Sequence, residues 1–171
     1  MHLSTPLIHA RSIERATRTA SPLAWSTVLC GGLVIAITDF VYCVLFWSPQ
    51  GVAPTRILQG IAAGALGAAS FSGGLVTALL GAGFQWLIGC GFVLAYALVA
   101  RHVSLLWRYP RHYGIAYGML LYIVMTHIVV PLSAAPTAAH PNVVWMLTSI
   151  PMFAVFGTIA AVFARRAIQS R

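Results

Sequence analysis

The chain has 171 residues, 60% of them hydrophobic and only 7% charged. A soluble domain carries about 25% charged residues, so a water-covered globule is excluded. The long unbroken apolar runs also exclude a membrane β-barrel, which reads as segments of about 10 residues with alternating polarity. The net charge is +8, and every cation is arginine, with no lysine. These arginines flank the apolar runs, so they read as orienting, lipid-facing charges and not as a nucleic-acid surface.

The expected fold is all-α: a polytopic membrane protein with four transmembrane helices, one short re-entrant or interfacial helix, and both termini cytoplasmic. Residues 1–21 form a basic segment, 22–166 a single transmembrane domain and 167–171 a tail. In the first segment Arg11, Glu14, Arg15 and Arg18 permit i,i+3 and i,i+4 pairing on a surface helix. Its arginine-rich, acid-poor character also matches a mitochondrial presequence, whereas no cleavage site marks a secretory signal.

Ser21-Pro22 reads as a helix start, and the first span covers 23–47 with Trp25 and Trp47 as interfacial anchors. Residues 48–55 (SPQGVAPT) turn the chain back. Residues 55–71 are apolar but short, about 25 Å as a helix, and rich in small residues. Gly60, Gly64 and Gly67 offer a face on which another backbone could pack closely, within this chain or on a second copy or membrane partner through 60–68. The second span covers 75–100, a basic loop 101–112, the third span 113–130 ending near Pro131, and the fourth opens at Pro141 or Asn142 and ends at Arg165-Arg166. Pro151 should kink that last helix. With this threading, 1–22, 101–112 and 165–171 share a side that holds every arginine except Arg56. Positive charge stays cytoplasmic, which orients the chain N-in and C-in in a bacterial inner membrane.

Asp39 is the one acidic residue inside an apolar span, ~12 Å below the outer end of its helix. Gln85 lies ~15 Å, and His127 ~6 Å, from the outer ends of theirs. With Arg56 they make a candidate polar layer in the outer half of the membrane. A carboxylate at that depth is expensive unless paired, hydrated or protonated. One reading makes Asp39 a proton- or cation-binding group with His127 as relay; the other pairs it with Arg56, Gln85 or His127 merely to hold helix register. Cys30, Cys43 and Cys90 fall in apolar spans without metal or redox spacing. There is no nucleophile with a base, no phosphate loop and no histidine pair for haem. Neither a catalytic site nor a cofactor is therefore expected, and the partner the composition implies is the lipid bilayer.

The run Pro54-Thr55-Arg56-Ile57-Leu58-Gln59, then Ile61-Ala62 and the Gly64/Gly67 pair, resembles a family of small bacterial membrane proteins. Asp39 and Pro131-Leu132 fit the same pattern. A His before Pro-Leu in the third span and an Arg pair closing the fourth are distantly similar to the YagU-like inner-membrane proteins, linked to acid tolerance. The resemblance implies an inner-membrane location and carries no chemistry.

Overall fold

The computed structural model describes residues 23–136 and 142–169. Residues 1–22, with the expected surface helix and the Ser21-Pro22 helix start, the connection 137–141 and residues 170–171 lie outside them. The described residues are helical, with no strand. The helices are α1 (Trp25–Trp47), α2 (Pro54–Leu66), α3 (Gly74–Ala100), α4 (Ser104–Arg108), α5 (Pro110–Leu132) and α6 (Val143–Gln169). Four of them, α1, α3, α5 and α6, are long and apolar enough to cross a membrane, so this is a multi-pass membrane protein. α2 is 13 residues, about 20 Å, and does not reach across.

Local chemistry explains the boundaries. A 3-10 turn at Ser48–Gln50 follows α1 and closes on Gly51, whose φ of 84° is a left-handed conformation that glycine adopts freely. Pro54 and Pro110 each occupy the first turn of their helix, where the missing N–H does no harm. Asn142 caps α6, its Oδ1 accepting from the Trp145 N–H at 3.0 Å. The third span ends at Leu132, near Pro131 as expected, but its last turns are not regular: the helix widens into a π turn at Met125–Val129. Proline cannot supply the N–H that would close an α turn there. The preceding residue, Val130, bonds instead to the Met125 carbonyl, one residue further back than in an α-helix. α6 likewise passes the Arg165-Arg166 pair and ends at Gln169.

α6 is the hub, packing on α1, α3 and α5. Close crossings are made by glycines other than the expected ones. A Cβ on Gly118 or Gly157 would run into the backbone of the facing helix at the α5–α6 crossing, and the same holds for Gly89 against Gly32 between α3 and α1. Residues 23, 100 and 167 gather at one end, where Ala24 N–H bonds the Ala167 carbonyl at 3.1 Å. That end carries Arg101, Arg108, Arg111, Arg165 and Arg166 and is tightly filled: Val93, Tyr96, Ala97, Ala100, Ala160, Ala161, Ala164 and Ala167 are buried there. Tyr96 Oη donates to the Leu106 carbonyl, 3.0 Å, and ties α4 to this core.

α2 packs on α3 through Gln59, Ala62 and Ala63, its buried residues. Gln59 Nε2 donates to the Gly74 carbonyl at 2.9 Å, and Gly81 of α3 makes room for the Leu58 carbonyl. Gly60, roughly 100° round the helix from Gln59, meets nothing within 4 Å. Gly64 and Gly67 face the segment after α5 instead: the Ala134 N–H bonds the Gly64 carbonyl, 2.9 Å. The close approach expected at Gly60, Gly64 and Gly67 is thus carried inside the chain mainly by Gly81 and the Ala62/Ala63 side, because those residues occupy the face turned to α3.

Candidate functional site

Of the four residues expected to share a polar layer, two meet. Asp39, half-buried on α1, accepts a hydrogen bond on Oδ2 from Gln85 Nε2 on α3. They meet because Gly32 and Gly89, one to two turns nearer the arginine end, bring these helices close. The pair borders a cavity of about 60 Å³ lined by all four spanning helices: Ile35 and Asp39 from α1, Gln85, Ile88, Gly89 and Phe92 from α3, Met125 from α5, and Phe153 and Phe156 from α6. A volume of this kind needs about 10–15 Å³ per water, so a few waters fit. Asp39 is the one titratable group on its wall.

Met125 reaches the cavity from the first residue of the π turn. π turns recur at functional sites because the extra residue re-aims side chains. The proline that imposes it stands in the sequence at 131, so this feature was readable in principle.

Arg56 and His127 stand apart from the pair. The Arg56 guanidinium lies over the Phe71 ring, 4.7 Å from its centre. It borders a separate open groove of about 300 Å³ with Cys43, Trp47, Val52, Ile57, Gly60 and Ile61. No ion pair links it to Asp39 among the described residues. His127 is exposed on α5 and bonds the Ile123 carbonyl of its own helix through Nδ1, 3.2 Å. It lies two residues after Met125, close to half a turn round the helix from the cavity face.

Sequence reasoning missed Tyr42 and Trp145. Tyr42 follows Asp39 by three residues and so shares its face of α1. Its hydroxyl lies 2.8 Å from Thr148 Oγ1 and 3.3 Å from Ser149 Oγ on α6. Its ring stacks on Trp145. The i+3 spacing was the available signal.

The arrangement supplies one carboxyl, one amide and room for water within an apolar shell. No group of histidine, cysteine and acidic side chains able to hold a metal occurs among the described residues. Comparison with protein families, curated proteins and solved structures finds no match for this chain.

Proposed function

We propose that this is a bacterial inner-membrane protein, N-in and C-in, in which Asp39 handles a proton or a small solute, in the service of acid or stress tolerance. The observation that carries the reading is the Asp39–Gln85 pair at a water-sized cavity lined by all four spans. A carboxyl kept at that depth without a cationic partner is a functional group by default. Its surroundings favour a proton over a dehydrated metal ion: Gln85 turns its donor toward Asp39, and the rest of the wall is aliphatic, aromatic or thioether. The orientation rests on five arginines at one end of the bundle against Arg56 alone among described residues elsewhere. The inner-membrane location and the tie to acid tolerance rest on the family resemblance.

Asp39→Asn tests this. The variant should insert and fold as before, because an amide can hold the same cavity, yet lose pH-dependent growth or proton flux. Full activity with asparagine there refutes proton handling by this residue.

A second reading, a scaffold that packs on a partner through the small face of α2, draws on Gly60, where an added Cβ would meet no atom of the chain within 4 Å. Gly60→Leu should then abolish a co-purifying complex while the protein still inserts. An unchanged complex refutes it.

A further inference from the structure

At the end of the bundle away from the arginines, α1 and α6 are joined by a cluster of aromatic rings. Trp145 of α6 stacks on Tyr42 of α1 with centres 5.0 Å apart, and meets Phe46 at 4.9 Å and Trp47 at 5.3 Å. Thr148 and Ser149 give their hydroxyl protons to carbonyls of their own helix, Val144 and Trp145, at 2.8 and 2.7 Å. Tyr42 is therefore the donor to Thr148 across the helix gap.

This cluster stands over the Asp39 cavity. Tyr42 and Phe46 lie at i+3 and i+7 from Asp39, on the same face of α1 and roughly 4.5 and 10.5 Å along it. On α6, Ser149 and Trp145 precede the cavity residue Phe153 by one and two turns. Pro151 falls between them. It has no N–H for the Leu147 carbonyl and crowds that turn, so the weakest backbone link of α6 lies between the ring cluster and the cavity. On the arginine side of Pro151, α6 is held by Gly157 against α5 and by its buried alanines. On the other side Val143, Val144, Met146 and Leu147 are exposed; the segment is tied to α1 by the Trp145 ring contacts and the Tyr42 hydroxyl, and to α5 by one bond from Tyr122 Oη to the Met146 carbonyl at 3.4 Å.

We propose that residues 143–150 of α6 form a lid, hinged at Pro151 and latched by Trp145 on Tyr42, that controls water access to Asp39. It rests on the reading of Asp39 as a proton-exchanging carboxyl, and supplies that site's route to water.

Two carbodiimides separate the claims in the full-length protein reconstituted in liposomes, with the Asp39 peptide followed by mass spectrometry. Dicyclohexylcarbodiimide reaches buried protonated carboxyls through lipid; a charged, water-soluble carbodiimide needs an aqueous path. The lipid-soluble reagent should modify Asp39 equally in the unaltered protein, Trp145→Ala and Pro151→Ala. The water-soluble reagent should react about tenfold faster in Trp145→Ala, which loses the ring contacts of the latch. It should react more slowly in Pro151→Ala, which regains the missing backbone bond. Opposite signs for the two variants exclude simple loosening of the fold, and Pro151→Ala tests the hinge should Trp145→Ala fail to fold. If the water-soluble reagent modifies all three at one rate while the lipid-soluble one reacts, the lid is overturned and the Asp39 site stands. If neither reagent modifies Asp39, the proton-site reading falls and the lid has nothing to gate.

Discussion

Substituting Gly118→Ala probes what holds α5 to the bundle. In water the hydrophobic effect would join these helices; in lipid it cannot, since acyl chains are as apolar as leucine. Contact then depends on how closely two backbones approach. At Gly118 an added Cβ would overlap the Phe153 carbonyl and the Ala154 Cα, both backbone atoms that cannot swing aside. The helices must separate along their length, so neighbouring contacts at Gly114 and Gly157 open as well. Overpacking of this kind destabilises by about 1–3 kcal/mol. The matched control is Gly91→Ala on α3, where a Cβ meets nothing within 4 Å. There the change should be neutral or stabilising by up to about 1 kcal/mol, the helix propensity of alanine over glycine. Unfolding in detergent by rising dodecyl sulfate, read by tryptophan fluorescence, compares the two. Gly118→Ala should shift the midpoint well below that of the unaltered protein, and Gly91→Ala should leave it in place or raise it. Equal midpoints for the two variants would refute the claim that backbone proximity at this crossing holds α5.

Tyr96→Phe removes the donor to the Leu106 carbonyl and should lower stability by about 0.5–1.5 kcal/mol in the same titration, with α4 loosened in hydrogen exchange. Asn142→Ala removes the cap of α6 and should cost about 1 kcal/mol, read as faster amide exchange at Trp145. Reporter fusions in the 101–112 connection should report the cytoplasm; a periplasmic signal there would reverse the orientation proposed from the arginines.

Much of the fold was legible because lipid imposes a simple rule: a backbone that cannot bond to water must form long apolar helices. The four spans, the shortness of α2 and the opening of α6 at Asn142 all follow from length, polarity and capping. Their contacts were not legible. The chain has 15 glycines, and spacing alone pointed to Gly60 and Gly64, whereas Gly32, Gly89, Gly118 and Gly157 make the close crossings. Which glycine faces a neighbour depends on the rotation of each helix, and α1 and α3 are apolar all round, so no polar face reports that rotation. The site shows the same limit. Asp39 and Gln85 were singled out by polarity at matching depth, and they meet. His127 was singled out on the same grounds, but the π turn alters the direction of the residues within it and leaves it exposed.

The two ends of the bundle bear on what Asp39 can do. From Asp39 toward the arginines, a path would run past Val93, Tyr96, Ala97, Ala160 and Ala164, all buried at 1% exposure or less. In the other direction stand ring contacts between only two helices, with a proline behind them. If Asp39 exchanges a proton as proposed, this packing leaves it one compartment to exchange with, the periplasm in the orientation proposed. Carriage across the membrane would need a second state in which the alanine-packed end parts, and packing that tight makes such a state costly. Reporting external acidity would need only the proposed lid. Protein reconstituted in one orientation distinguishes the two: water-soluble carbodiimide added on the arginine side alone should leave Asp39 unmodified while the same reagent on the opposite side reacts. Modification from both sides would establish that the alanine core opens, and would favour transport over sensing.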